Sequence, residues 1–425
     1  LVDGMGQARF FHTVVDGAPV LVKTREGRPV LVAPSPTNTS GRGVTVRHQA
    51  ALMDLYDPDR ARGPLSVRRG AGAPVSLNWT AVGRDVVQRL QAAGSKAVLL
   101  TAPASSPALG AAFMGLAART GLRDVIWSPL EVDAAVVAWK RALGHGRVGR
   151  PRLDRADLVL GLGAEFLDRP EDGLEADFAR RRAPEPPAGA SSAEGGMNRF
   201  VQLEGRLTLT GANADRRIRV RDSHLARVGA ALAHELIVVR AVGPLAADAS
   251  VQQALAPFAI DAVAGRTGLD ASVLKGLADE LAAAAGKALV VAGGSAGAAS
   301  SGPAIELATL MLNVTLGAFD AGLIDETSAL EPYSGGGAAL AALADEMRGG
   351  QVEVLIVAGV NPVYDAPASL AFAEAMAKVP FVVSLNDRLD ETSRLADILA
   401  PVSHPFESWS DASLSKDLVG IQQPV

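Results

Sequence analysis

The clearest feature of the chain is a run of aliphatic residues that stops at a glycine and turns polar within three positions, VEVLIVAGVNPVYDAP at 352–367. Val354, Leu355, Ile356 and Val357 are continuously apolar and bounded by turn formers, the pattern of a strand covered on both faces. Gly359 permits a tight exit. In an open parallel sheet such a strand end faces the crevice where ligands bind, which places Asn361 and Asp365 there. The same spacing also fits a plain βα turn, in which Asn361-Pro362 starts the bend and Pro367 opens a helix over ASLAFAEAMAKV.

Patterns of this kind organise the rest of the chain. Residues 1–75 predict a small β-rich piece: FFHTVV, then PVLVKTREGRPVLVAP turning at Glu26-Gly27, the polar TNTSGRG, and a helix around VRHQAALMDLY. From Trp79 the pattern becomes helix WTAVGRDVVQRLQAAG, strand KAVLLTA, helix SPALGAAFMGLAARTG and strand DVIWSPL, the alternation of βαβ units. The strand ADLVLGLGAEF precedes a Pro/Ala/Gly-rich stretch, RRRAPEPPAGASSAEGG, that reads as a mobile surface loop. Strand-like MNRFVQLEGRLTLTGANADRRIRV, helices around HLARVGAALAHEL and SVLKGLADELAAAAG, and a strand–glycine–helix unit KALVVAGGSAGAASSGPAIELATLMLN follow. VPFVVSLN, ADILAP and SWSDASL complete the sheet pattern. The fold class is α/β, two parallel αβα (Rossmann-like) layers with a small N-terminal β-rich piece. The predicted domains are 1–75, then 76–128 with 301–425 as one discontinuous αβα domain, and 129–300 as the second; no repeat of solenoid period occurs.

Composition narrows the function. A chain of 425 residues, 48% hydrophobic and 20% charged, can bury more than one core. A net charge of −5 with only short basic clusters, Arg180-Arg181-Arg182 and Arg216-Arg217, argues against nucleic acid as a partner. No stretch reaches the ~20 apolar residues that span a bilayer, so membrane association is expected only through partners. The lack of cysteine excludes disulfides, Cys nucleophiles and Cys-ligated iron–sulfur clusters within the chain. Its six histidines show no zinc spacing, so no metal site is expected. No signal peptide is visible, and the closing LVGIQQPV reads as a strand running into a turn, which suggests further polypeptide.

Candidate chemistry is sparse. Gly293, Gly294 and Gly297 follow a strand and precede a helix, where backbone N–H groups could cradle a phosphate. They do not form GxGxxG and lack a P-loop lysine, so a close strand–helix turn is the competing reading. No GxSxG elbow accompanies His404. Asp387, Asp390 and Glu391 read either as paired carboxylates or as the acidic start of a helix. Trp409 is either a core anchor or a site wall.

Six segments in order carry a resemblance. LVKTREGRPVLVAPSP, QAALMDLYDPDRARGPL, LNWTAVGRDVVQRL, RADLVLGLGAEFL, the VEVLIVAGVNPVYDAP stretch and DETSRLADILAPVSHPFESWSDA together resemble the molybdopterin oxidoreductase superfamily. MNRFVQLEGRLTLTGANADRRIRVR, NPVYDAPASLAFAEAMAKVP and FESWSDA are most similar to the molybdopterin-oxidoreductase-like, iron–sulfur subunit of alternative complex III, of which this chain looks like the front portion. The resemblance implies a domain without molybdenum and without a cofactor of its own. It also implies iron–sulfur clusters in a ferredoxin-like partner domain, haem c in a multihaem cytochrome subunit, integral membrane partner subunits, and a peripheral place on the periplasmic face of the bacterial inner membrane. Where catalytic relatives place an N-terminal cluster, this chain has Val44, Thr45 and Val46, and the IWSPLEVDAAVVAWK segment offers only Ser128 and carboxylates as metal ligands.

In active relatives a Gly-x-Asn-Pro turn contacts the dinucleotide part of the cofactor, so Gly359, Asn361 and Pro362 match a cofactor-binding turn by resemblance. The matching turn after ADLVLGLG reads AEF instead of Asn-Pro, and the expected pocket is a vestigial one kept as scaffold. The leading functional expectation is a noncatalytic scaffold domain of a quinol-oxidising complex. Two alternatives stay open: an active bis-molybdopterin oxidoreductase acting on a small oxyanion or S/N-oxide, and the large subunit of a respiratory NADH dehydrogenase.

Overall fold

The computed structural model describes residues 6–36, 44–129, 134–168, 173–183, 196–326 and 336–425. It divides into two units, the first of Leu1–Ser40, Val44–Glu131 and Tyr333–Val425, the second of Gly41–Gly43 and Val132–Pro332.

In the first unit, β1 (Ala8–Val15), β2 (Ala18–Arg25) and β3 (Arg28–Pro34) form an antiparallel sheet. The turn falls at Glu26-Gly27, both with positive φ (51° and 74°), the two-residue geometry that matches strand twist. Val20, Val22 and Val32 are buried together with Ala51 of the helix Val46–Leu55.

The main sheet has seven strands: β4 (Leu65–Ser66), β5 (Val75–Ser76), β6 (Ala97–Thr101), β7 (Arg123–Ile126), β14 (Val354–Ala358), β15 (Phe381–Ser384) and β16 (Ile398–Leu399). Their order is β5-β4-β16-β15-β14-β6-β7, parallel from β16 to β7. β14 lies between β6 and β15 with its first four residues buried, as its unbroken apolar run requires. From β6 the chain steps outward to β7, and from β14 it steps the other way to β15 and β16. The order therefore reverses between β6 and β14, a topological switch point.

The second unit has a fully parallel sheet of β9 (Leu158–Leu162), β10 (Arg199–Glu204), β11 (Arg216–Arg219) and β12 (Ala288–Ala292), ordered β11-β10-β9-β12. A short antiparallel pair, β8 (Arg150–Pro151) with β13 (Ile324–Asp325), lies apart. Its switch point falls between β9 and β12. One face of the sheet packs the helices Asp222–His234, Ile260–Thr267 and Ala271–Ala283 through Leu225, Leu232, Leu274 and Leu277. The other buries Phe166, Phe178 and Phe200, with ring centroids 5.3–5.6 Å apart. Each such buried side chain contributes about 1.5–3 kcal/mol.

The two-layer α/β architecture matches the sequence reading, while several details differ. The second unit runs to Pro332, not to 300, because the helix Gly302–Thr315 belongs to it: Ile305 and Leu312 enter its core. The Asn313 side chain also pairs with both the N–H and C=O of Val290 on β12 (2.9 and 2.8 Å). Residues 1–75 are not a separate piece, since β4 and β5 form the antiparallel edge of the seven-stranded sheet. SWSDASL does not complete that sheet. It forms β17 (Ser410–Ser415), which pairs only with β18 (Leu418–Gln422) and buries Ala412 and Leu414 against Val14. The helix expected over ASLAFAEAMAKV is broken at Ala371 (φ 43°), which sends Phe372, Ala375 and Met376 into the core. TNTSGRG at 37–43 and most of the Pro/Ala/Gly-rich stretch (184–195) lie outside the described residues.

Candidate functional site

Each unit has a turn at its switch point, and the two are closed by different chemistry. In the first unit, Gly359 (φ 68°) ends β14 in a conformation that glycine tolerates best. Its N–H donates to Asn386 Oδ1 at 2.9 Å, while Asn386 Nδ2 donates back to the Val360 carbonyl (3.0 Å) and to Asp390 Oδ2 (2.7 Å). Pro362 is buried at the first position of the short helix Pro362–Asp365. The Asn361 carboxamide faces the neighbouring segment: its Oδ1 accepts from the N–H and hydroxyl of buried Thr392 (3.1 and 2.7 Å), and its Nδ2 donates to Glu391 Oε2 (2.7 Å). Both acceptor sites of Oδ1 and one of the two N–H donors are thus used within the protein.

The charge at this turn is negative. Burial, then the nearby Glu391 and Asp390 carboxylates, push the Asp365 carboxyl up, whereas the Asn361 amide holds Glu391 below its usual range. Arg388, the nearby cation, is held by Asp387, Asp57 and Asp54. A polyanionic dinucleotide would meet the Asp365, Asp390 and Glu391 carboxylates here, with Arg394 beside Glu391 as a further cation.

In the second unit the turn after β9 runs Gly163-Ala164-Glu165 and meets the Gly293-Gly294-Ser295 loop that ends β12. Glu165 is 6% exposed. Its Oε1 accepts from the Ser295 hydroxyl and from Arg206 Nη2 (2.9 Å). Gly294 has φ 64°, and a Cβ on it would come within 2.6–2.7 Å of Glu165 Cγ, Cβ and Cδ. Only glycine fits beneath this carboxylate. Burial raises the Glu165 pKa, but the Ser295 hydroxyl and N–H with Arg206 outweigh it and hold the group below the usual range. Glu165 is therefore an anion of the protein itself, seated on the glycine loop that the sequence offers as a possible phosphate cradle.

Several surrounding polar groups are engaged as well. Gln202 Nε2 donates to the Ala164 carbonyl (2.8 Å), and buried Glu204 binds the Thr208 hydroxyl (2.6 Å) and Arg217. Asp168 caps the turn at Leu209 and Thr210 (2.9 and 3.0 Å). With Glu165 over the glycine loop of the second unit and carboxylates around Asn361 in the first, the residues at neither turn fit a pterin dinucleotide.

The remaining sequence candidates have structural roles. Asp390 caps the helix Glu391–Arg394 through the Ser393 N–H, so the helix-start reading holds, with Asp387 engaged by Arg388. His404 is buried and caps Phe406. Trp409 is 70% exposed and is not a core anchor. Arg180, Arg181 and Arg182 pair with Asp177, Asp157 and Asp215, and Arg216 and Arg217 with Glu280 and Glu204. Among the described residues no group of His, Asp and Glu could hold a metal ion. Sequence reasoning missed Glu165, Arg206 and Ser295 as one cluster. The available signal was the polar pair Gln202 and Glu204 inside an otherwise buried strand, followed directly by Gly205-Arg206.

The chain is similar in fold and in sequence to molybdopterin oxidoreductase-like proteins, as the six-segment resemblance implied. A solved acetylene hydratase from Pelobacter acetylenicus matches with a TM-score of 0.78 at 12% identity, over 97% of this chain and 66% of that one, a likeness of fold. The chain is also similar to the menaquinone reductase, molybdopterin-binding-like subunit of Nitratidesulfovibrio vulgaris, 28% identical over 411 residues and 93% of this chain. It spans 58% of that relative's length. No family model matches.

Proposed function

We propose that this chain is a noncatalytic scaffold in a membrane-attached quinone oxidoreductase assembly of the alternative complex III kind. The cofactors, iron–sulfur clusters in a ferredoxin-like domain and haem c in a cytochrome subunit, belong to its partners. The single observation that carries the reading is Glu165 sealed over Gly294, a carboxylate in the place of a cofactor phosphate. The carboxylate-rich turn at Asn361 supports it from the other unit. The relative named as a menaquinone reductase subunit supports the quinone chemistry. Among the described residues no helix is long and apolar enough to cross a membrane. Attachment is accordingly assigned to integral membrane partners, on the periplasmic face.

A scaffold tolerates changes at its turns provided that it still folds. In the assembly purified from its host, Asn361→Ser and Glu165→Gln chains should support quinol- or quinone-dependent turnover in proportion to the amount of folded subunit retained. A loss of turnover per assembled complex of about a hundredfold, which corresponds to removal of a transition-state contact, would contradict the proposal.

A further inference from the structure

The three-stranded sheet β1-β2-β3 has two unlike faces. Side chains alternate across a strand, so with Val20, Val22 and Val32 buried together with Ala51, Phe10, Lys23 and Leu31 stand on the opposite face. They form one row across all three strands, Phe10 opposite Lys23 and Lys23 opposite Leu31. Phe10 and Leu31 are 57% and 51% exposed, and Lys23 Nζ lies 5.9 Å from the centre of the Phe10 ring. A lysine stem flanked by bare apolar side chains, its ammonium close to an aromatic ring, is the arrangement of an interfacial anchor.

Next to this row, at the Glu26-Gly27 turn, Arg25 and Arg28 are paired directly opposite each other and are both exposed. Neither has an ion-pair partner among the described residues. Like charges directly opposite one another destabilise a sheet, so this pair calls for an anion from outside. From Ala18 to Pro34 the chain carries Lys23, Arg25 and Arg28 against the single carboxylate of Glu26, although its net charge overall is −5. Cations that only guard a sheet edge belong on an outer strand, yet Lys23 and Arg25 are on β2, the central one.

The same face leads to a recess. Two residues on from Phe10, His12 joins Val14, Pro19, Leu414 and Leu418 around a cavity of about 220 Å³. Its walls are largely aliphatic, so an apolar chain can enter beside the cations.

We infer that this face, with Phe10, Lys23 and Leu31 in a row and Arg25 and Arg28 beside them, rests on an anionic phospholipid surface. The inference deepens the membrane-attached function proposed above and rests on it for the membrane concerned. Charge and apolar exposure together select the occupant. The arginines need anions, Phe10 and Leu31 need an apolar phase, and the headgroup boundary of an anionic bilayer supplies both within a few ångströms.

The test is co-sedimentation of the full chain with vesicles of phosphatidylcholine alone and with phosphatidylglycerol added. Wild type should bind the anionic vesicles and not the neutral ones. Each cation near such a surface contributes about fivefold in partitioning, so Arg25→Gln/Arg28→Gln should bind about thirtyfold more weakly. Leu31→Ser should bind about tenfold more weakly through its lost apolar contact. Both variants change exposed side chains and should melt like the wild type. Hydrogen exchange of the wild type, slowed over residues 8–12 and 21–31 when anionic vesicles are added, reads the same surface without a variant. No binding to anionic vesicles, equal binding to neutral ones, or binding that neither variant weakens overturns the inference. Weakening by the arginine pair with Leu31→Ser unaffected marks a surface for an acidic polypeptide and overturns it too. If the subunit's native assembly contains no membrane partner while the chain binds anionic vesicles as described, the proposed function falls and the lipid surface stands.

Discussion

Replacing Glu165 by alanine should loosen the second unit at one place. The substitution removes the acceptor used by the Ser295 hydroxyl and N–H and the methylene packing over Gly294. Hydrogen bonds to a charged group contribute about 1.5–3 kcal/mol, and a buried methylene about 0.8 kcal/mol. Arg206 lies at the surface and returns to water, so it is left out of the sum. With two such bonds and one methylene the local loss is about 4–7 kcal/mol, on the order of a thousandfold or more in amide exchange of β9 and β12, with β6 and β14 of the first unit unchanged as internal controls. Because the folded protein holds the Glu165 carboxyl below its ordinary value, the unfolded chain takes up its proton first as pH falls. The stabilisation is full above the ordinary glutamate pKa of about 4.3 and is lost as pH drops through the folded value, so wild type and variant should converge in acid. Millimolar pyrophosphate should restore protection to Glu165→Ala and leave wild type unaffected, since only the variant presents an open glycine loop. Exchange that is unchanged, or raised equally in both units, would refute the reasoning.

Three further outcomes follow from the same geometry. Gly294→Ala should destabilise by about 1–3 kcal/mol through its positive φ and its clash with Glu165, and a double-mutant cycle with Glu165→Ala should recover the steric part; strict additivity would show that the two do not touch. Asn361→Ala leaves the buried Thr392 hydroxyl and N–H without their acceptor and should cost about 1–3 kcal/mol in urea unfolding, whereas an unchanged midpoint would mean that Asn361 faces a solvent-filled pocket. Glu306, on the helix Gly302–Thr315, is pushed up to about 7 by burial. Its folded pKa exceeds its unfolded one, so stability declines as pH rises from about 4.3 toward 7 and then levels. Glu306→Gln should raise the Tm at pH 8 and leave it nearly unchanged at pH 4; an equal shift at both would contradict the assignment.

The aliphatic run 354–357 made β14 legible because a strand flanked on both sides by parallel neighbours has few other ways to bury four consecutive apolar residues. The Glu26-Gly27 hairpin was legible for a similarly local reason, the demand for positive φ. What the sequence hid was non-local. Nothing near Glu165 indicates that it covers a glycine loop 129 residues later, because that contact exists only once β12 has been laid beside β9. The boundary at 300 failed because the glycine-rich 293–302 stretch resembles a linker, while its helix is tied to β12 by one asparagine, Asn313. The break at Ala371 was illegible too, since alanine favours helix and only the placement of Phe372 in the core overrides it.

The proposed scaffold role requires that this chain hold no pterin of its own. It is tested most directly by elemental analysis for molybdenum, tungsten and iron, with pterin fluorescence after oxidation, on the subunit purified with its native partners. A scaffold subunit should give iron and haem with no molybdenum, tungsten or pterin above background. Stoichiometric pterin with either metal would contradict it, and would make Asn361 a cofactor contact and Glu165 a side chain that moves aside.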